Sequence, residues 1–312
     1  MPFGLTGAPS TFQALMDKIL PVWKEGPRGR DRFCWAYLDD IVAICDSFQQ
    51  GVSRLAKIFQ ALIDHQLKLH PKKCTFYRKE LLYLGQYISP SGIAANKAKV
   101  KAVMEWPIPR SPTQVRAFLG LCNYLSNYIP RYTDKAVPLY RLTEEGQLFV
   151  WTLEAQSAYE ALKIALSSPP VLAFPRVCKN YEEVNLQKVT ENEGIYIVHS
   201  DASLQAAGGI LSQVQDGRER IIVYHSHGFS KPERNYCTTR LKLAAILILI
   251  KVWAVYLEHR KFIVRTDHSA LQWLRSLLKN PEQQLFRWLA YLESFDFVAL
   301  HRRGTFHTDR IV

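Results

Sequence analysis

Cysteine is scarce and unpatterned in this chain. Its six residues, Cys34, Cys45, Cys74, Cys122, Cys178 and Cys237, include no C-x-x-C pair, which argues against a disulfide framework and against a zinc knuckle. They read as reduced packing residues of an intracellular protein. Long apolar runs are missing too: the longest, Leu243 to Ile250, is bracketed by Lys242 and Lys251 and falls short of the roughly 20 residues that span a bilayer. The opening Met1-Pro2-Phe3-Gly4-Leu5-Thr6-Gly7 has no basic segment followed by an apolar one, so no secretory signal is visible and a soluble chain is expected. No repeat recurs at a fixed period. Acidic residues are in deficit, 28 Asp+Glu against 40 Lys+Arg, for a net charge of +12. That excess points to an anionic partner, nucleic acid first. It is uneven: residues 1–150 hold 20 Lys+Arg and 12 Asp+Glu, and residues 151–312 hold 20 and 16. With 48% hydrophobic and 22% charged residues over 312 positions, the chain can bury cores, is not disordered, and is long enough for at least two domains.

Hydrophobic periodicity divides the chain into a mixed α/β segment, a helical segment and a second mixed α/β segment. Arg32 to Cys45 is an apolar strand, two carboxylates and a second apolar strand, which predicts a β-hairpin with the acids at or near its turn. A helix is predicted from Phe48 to Gln66, with Leu55, Ile58, Phe59, Leu62 and Ile63 on one face. Leu81 to Ile88 predicts a strand pair broken at Gly85. From Asn96 to Leu166 short amphipathic helices are punctuated by Pro107, Pro109, Pro112, Pro130 and Pro138. The stretch from Ser167-Ser168-Pro169-Pro170 through the polar Lys179–Glu193 is the best candidate linker. Beyond it strands and helices alternate: strands at 194–201, 207–213, 220–229, 261–267 and 295–302, and helices at 232–257, 269–278 and 281–294.

The sharpest chemical feature is Asp39 and Asp40. Adjacent carboxylates repel unless a cation or solvent compensates, and Mg²⁺ is the natural candidate. Strand alternation would put Tyr37 and Asp39 on one face and Leu38 and Asp40 on the other; a solvated Asp-Asp turn is the plain alternative. A second pair sits where two apolar strands end, in Ser200-Asp201 and Thr266-Asp267. Two strand-end acids suit Mg²⁺, although Asp267 also suits a helix cap. His225-Ser226-His227 has no second His/Cys pair at zinc spacing. The tyrosines at 124, 128, 132 and 140 either stack bases or pack the helical segment.

Four motifs occur in order: Met1 to Gln13, Tyr37-Leu38-Asp39-Asp40, Leu67-Lys68-Leu69-His70-Pro71-Lys72-Lys73-Cys74-Thr75-Phe76, and Tyr83-Leu84-Gly85. Together they resemble the reverse transcriptase palm of gypsy-type LTR retrotransposon and retroviral Pol polyproteins. The resemblance continues through a thumb and connection to the last third. There Asn235-Tyr236-Cys237-Thr238-Thr239, Thr266-Asp267-His268, Arg287-Trp288 and His301-Arg302-Arg303-Gly304 resemble the retroelement ribonuclease H domain. It implies an α/β and α+β multidomain fold: a partial palm at 1–92, a helical thumb and connection at 93–175, a linker or insertion at 176–193, and a ribonuclease-H-like mixed-sheet domain at 194–312.

What the resemblance implies about chemistry is RNA-directed DNA polymerisation and cleavage of RNA in RNA–DNA hybrids, with two-metal Mg²⁺ sites and an RNA template, a DNA primer and the hybrid as partners. Asp39 is the main palm metal ligand and Asp40 the lesser one. Phe12, Gln13 and Tyr37 line the nucleotide and template pocket, Lys73 lies near the triphosphate, and Tyr83, Leu84 and Gly85 hold the primer end. The matched region begins after the earlier palm Asp, so polymerisation by these 312 residues alone is expected to fail. In the ribonuclease H segment Asp201 and Asp267 match two of four metal-binding acids. The family's Glu, six residues after Tyr236, is replaced by Lys242, which predicts a crippled site. The fourth acid belongs four residues after His307, where Ile311 stands; Asp309 is the substitute on offer. A nucleic-acid-binding remnant without catalysis is the competing expectation.

Overall fold

The structure, a computed structural model, describes residues 5–20, 24–25, 31–146, 148–177, 183–267 and 283–301. Contacts group the chain into two units, Met1–Pro90 and Ser91–Val312. Among the described residues no helix is long and apolar enough to cross a membrane.

In the first unit α1 (Ala8–Ile19) carries Pro9 in its first turn, where a fixed φ suits the helix. Short strands β1 (Lys24–Glu25) and β2 (Asp31–Arg32) pair antiparallel, as do β3 (Cys34–Tyr37) and β4 (Asp40–Ala43). Then comes α2 (Phe48–Asp64), capped by Ser47, whose side chain accepts the Gln50 N–H. The helix stops two residues before the predicted end because Gln66 adopts a left-handed φ of 58° and the Leu67 N–H returns to Leu62 O. Strands β5 (Leu81–Tyr83) and β6 (Gln86–Ser89) form a hairpin whose two turn residues, Leu84 and Gly85, both have positive φ, as a tight primed turn requires. Met16, Ile19, Leu20, Phe33, Cys34, Ile58 and Leu62 form the core, so α1 and α2 both pack on the hairpin that carries the paired acids.

The second unit opens with β7 (Gly92–Ala94), whose Ile93 bridges Leu172. Four helices follow: α3 (Lys97–Met104), α4 (Pro112–Tyr124), α5 (Tyr132–Arg141) and α6 (Leu153–Ser167). Their shared core includes Val115, Phe118, Tyr128, Leu139, Tyr159 and Leu162. Here Tyr128, Tyr132 and Tyr159 are buried packing residues, while Tyr124 and Tyr140 are about 40% exposed. Asn192, in the polar stretch preceding the sheet, is buried and bonds Asn185 and Val189.

Strands β8 (Tyr196–Ala202), β9 (Ala206–Gln215), β10 (Arg218–Gly228), β11 (Phe262–Thr266) and β12 (Phe297–His301) form a mixed five-stranded sheet in the order β10-β9-β8-β11-β12. β8, β9 and β10 are antiparallel neighbours; β11 runs parallel to both β8 and β12. The predicted helix at 232–257 is shorter and broken. A 3₁₀ turn at Glu233–Asn235 leads into α7 (Thr238–Val252), and Trp253 separates it from α8 (Ala254–Leu257). α9 (Gln283–Glu293) completes the unit. The predicted helix at 269–278 lies outside the described residues.

α7 buries Leu243, Ile246, Leu247 and Ile250 against one sheet face, with Val198, Leu211 and Val264. The helical core packs on the opposite face through Ile210, Ile221 and Tyr224. Close approach of α7 depends on Gly209: a Cβ there would come within 2.4 Å of the Leu249 side chain and 2.7 Å of His199 O.

On the opposite face a buried polar network crosses four strands. Glu219 receives Ser212 Oγ at 2.5 Å and Arg265 NH1 at 2.6 Å, and pairs with His199 Nε2. Burial pushes the Glu219 carboxyl up, but His199, Arg265 and Ser212 outweigh it and hold the pKa at about 2 rather than 4.5. A lowered folded pKa contributes stability that is complete above the unfolded value and disappears as pH falls toward 2. At about 1.4 kcal/mol per tenfold change in acidity, the carboxylate stabilises this unit by about 3 kcal/mol at neutral pH. Urea unfolding of Glu219→Gln at pH 7 is therefore expected to show a loss of about 2–3 kcal/mol. The gap to wild type should shrink between pH 4.5 and 3; a constant gap would remove the carboxylate from this account. Gly209→Ala is expected to cost about 1–3 kcal/mol through overpacking, read from the same transitions.

Candidate functional site

In the first unit Tyr37 pairs with Asp40, and Leu38 and Asp39 form the turn between them. Strand alternation therefore does not run through Tyr37-Leu38-Asp39-Asp40, and the predicted split of the acids onto opposite faces is replaced by a turn that leaves both exposed. Leu38 has φ of 51°, a costly conformation for a branched side chain. Gln13 compensates. Its Oε1 accepts the Leu38 N–H at 2.7 Å, and its Nε2 donates to Ala36 O at 3.1 Å and to Asp17 Oδ1 at 3.0 Å. The side chain of Gln13 thus splints the acid-bearing turn, a role its sequence position did not announce.

Phe12 and Tyr37 are exposed, at 38% and 55%. Asp39 and Asp40 line a cleft of about 450 Å³ together with Lys68, His70 and Lys73. Lys73 ends a 3₁₀ turn begun by Pro71. Tyr83 feels one of these acids: burial raises its phenol pKa, and the negative charge of Asp40 raises it further. The Tyr83 end of this hairpin thus lies within electrostatic reach of Asp40. Paired, exposed carboxylate oxygens are a donor set suited to a hard divalent cation.

The second carboxylate pair is arranged differently. Asp201 lies at the end of β8 and Asp267 directly after β11, neighbouring parallel strands. Lys242 projects from the first turns of α7, its Nζ hydrogen-bonded to both carboxylate oxygens of Asp267 and 3.9 Å from Asp201 Oδ1. Its side chain is only 12% exposed. From the other side Arg131, the N-cap of α5, places NH1 3.5 Å from Asp201 Oδ2 and Nε 2.9 Å from Asp134 Oδ2. Asp134 also receives Ser203 Oγ at 2.6 Å, and the Thr133 N–H donates to Ser226 Oγ at 3.0 Å. The structure brings Asp201, Asp267 and Lys242 together. It adds Arg131, Asp134 and Ser203, which sequence reasoning missed because they lie about 70 residues apart with no local motif. Asp309, His268 and His307 lie outside the described residues. Among the described residues no group of three or more His, Cys, Asp or Glu converges to hold a metal.

Family models match at two places. Residues 1–88 match "Reverse transcriptase (RNA-dependent DNA polymerase)", and residues 192–295 match "RNase H-like domain found in reverse transcriptase". The chain is 35% identical over 306 residues to the retrovirus-related Pol polyprotein from transposon 297 of Drosophila melanogaster, covering 97% of this chain and 26% of the relative. It is 30% identical over 309 residues to the transposon Tf2-3 polyprotein of Schizosaccharomyces pombe, covering 98% and 22%. The chain thus spans about a quarter of the length of these relatives. Among solved structures it is similar to a foamy viral protease-reverse transcriptase in complex with double-stranded DNA, with a TM-score of 0.76 and 23% identity over 97% of this chain and 50% of that one. It is also similar to a foamy viral protease-reverse transcriptase in complex with RNA/DNA hybrid, with a TM-score of 0.75 and 22% identity over 100% and 40%.

The splint carries a prediction. Gln13→Leu removes the partners of the Leu38 N–H and Ala36 carbonyl and is expected to cost about 1–2 kcal/mol, at roughly 1 kcal/mol per net hydrogen bond. Amide exchange at Leu38 should accelerate at least about tenfold; unchanged exchange would show that the turn holds without Gln13.

Proposed function

The chain belongs to the reverse transcriptase and ribonuclease H region of retrovirus-related Pol polyproteins, and on that premise we propose that it engages an RNA template, a DNA primer and their hybrid inside the cell. In this reading residues 1–92 are the part of the polymerase palm that carries the metal hairpin, 93–175 the thumb and connection, 176–193 a linker or insertion, and 194–312 the ribonuclease-H-like domain. Asp39 and Asp40 hold Mg²⁺, Lys68 and Lys73 attract phosphate, Phe12 and Tyr37 offer aromatic surface to a base or sugar, and Tyr83, Leu84 and Gly85 meet the primer end. When bound, Mg²⁺ supplies charge neutralisation at the attacking and leaving oxygens of nucleotidyl transfer.

The observation that carries this reading is the cleft in which Asp39 and Asp40 meet Lys68, His70 and Lys73. Carboxylates attract a divalent cation and lysines attract phosphate, so one concave surface has groups for both. The net charge of +12 supports association with a phosphate backbone over a wider area. A second reading is favoured by the contact of Lys242 with Asp267: the ribonuclease-H-like domain binds hybrid without cutting it.

Fluorescence anisotropy with a labelled RNA–DNA hybrid tests binding. Log affinity is expected to fall linearly with log salt, by about 0.7–0.9 per phosphate neutralised, and the hybrid is expected to be preferred over duplex DNA because its A-like shape and 2′-hydroxyls are recognisable. Lys73→Ala should reduce the salt slope by about one. Affinity independent of salt would sink the proposal. Primer extension and hybrid cleavage with Mg²⁺ on the same substrate separate the two readings, cleavage by wild type counting against the second.

A further inference from the structure

The donor set around Asp201 and Asp267 does not fit a divalent cation. A hard metal needs several oxygens with free lone pairs, yet both Asp267 oxygens accept from the Lys242 ammonium. Asp201 is contacted through both of its oxygens, Oδ1 by Lys242 at 3.9 Å and Oδ2 by Arg131 at 3.5 Å. Among the described residues the two carboxylates therefore face two positive charges supplied by the fold, one of which, Arg131, is shared with Asp134. An incoming Mg²⁺ or Mn²⁺ would meet repulsion from both cations in a partly buried setting where screening is weak.

Neither cation is loosely placed. Lys242 sits in the first turns of a helix seated on the sheet, with its side chain 12% exposed. Arg131 is anchored through Asp134, which Ser203 fixes from the loop after β8. Gly208, the register partner of Asp201, leaves space beside the Arg131 stem, where an added Cβ would lie 3.6 Å from Arg131 Cγ. Lysine suits one position because its ammonium is a compact point charge, and arginine suits the other because its fork bonds Asp134 while still facing Asp201.

We propose that the Lys242 ammonium and the Arg131 guanidinium are built-in counter-cations for Asp201 and Asp267, and that this carboxylate pair takes no divalent metal. The inference stands apart from the nucleic-acid reading, since it concerns only which cation the pair holds. It makes Arg131 a tie between the helical part of the unit and the sheet, and Lys242 a tie between α7 and the sheet.

The test is Mn²⁺ binding, read by the electron paramagnetic resonance signal of free Mn²⁺ and by thermal unfolding with and without Mn²⁺. The full chain is used with Asp39→Asn and Asp40→Asn, so that the exposed acids of the first unit do not contribute. The expected result is no Mn²⁺ bound at micromolar concentrations and no change in Tm. Lys242→Glu in the same background should bind about one equivalent and gain several degrees in Tm at saturating Mn²⁺. Asp201→Asn should abolish that gain. Micromolar Mn²⁺ binding by the chain with Lys242 intact, lost on Asp267→Asn, would overturn the proposal. So would a folded Lys242→Glu that gains no site. If Lys242→Glu does not fold, Lys242→Met substitutes: Mn²⁺ should restore most of its lost Tm while NaCl of equal ionic strength does not, and failure of Mn²⁺ to restore it would count against the ammonium as a cation surrogate.

Discussion

Two carboxylates brought close on a folded backbone must be compensated by a cation or kept in water, and this chain meets that constraint in two ways. In the first unit Asp39 and Asp40 are left exposed on a turn, with Lys68 and Lys73 in the same cleft rather than bonded to them. Their charge remains available to a ligand. In the second unit Asp201 and Asp267 are contacted by Lys242 and by Arg131, which Asp134 also holds, so the fold itself supplies the cations they face. The same pairing of acids thus yields a site that invites a cation in one unit and a structural ion cluster in the other.

Polar groups are managed with similar economy elsewhere in the sheet. Glu219 is half-buried yet ionised because His199, Ser212 and Arg265 converge on it from three other strands. Removing one of these partners would leave the others short of hydrogen bonds in a low-dielectric setting, where an unpaired polar group is costly. The strands carrying it therefore have one permissible register, since a one-residue slip would turn every partner to the other face. The same registration sets Gly209 beneath Leu249 and Gly208 beside Arg131.

Much of this was legible in the sequence where the signal is local. The apolar runs flanking Asp39 and Asp40, the spacing of Ile58 and Leu62, and the apolar strands ending in Asp201 and Asp267 are short-range patterns, and the elements they imply occur. Motif order carried the family, and the spacing from Tyr236 drew attention to Lys242, which the fold sets against Asp267. Local patterns failed where geometry depends on distant partners. No periodicity indicates that Gln13 supports the Leu38 turn, or that Arg131 reaches Asp201 across 70 residues. The helix expected through Leu257 breaks at Trp253, where φ is −101° and ψ 14°, a departure that the helix-compatible run does not announce.

The polar ties at the start of α5 also bear on the order in which the chain folds. Thr133 bonds a partner 93 residues away and Asp134 one 69 residues away. The helices around them make mostly local contacts and form early, whereas these ties must wait for β8 to β10 to be synthesised and paired. During synthesis the helical bundle therefore precedes its own lid: the surface that will meet Ile210, Ile221 and Tyr224 is finished before those residues exist. The nascent chain carries an apolar face through that interval, and a ribosome pausing between residues 170 and 225 would prolong its exposure to chaperones and to neighbouring chains.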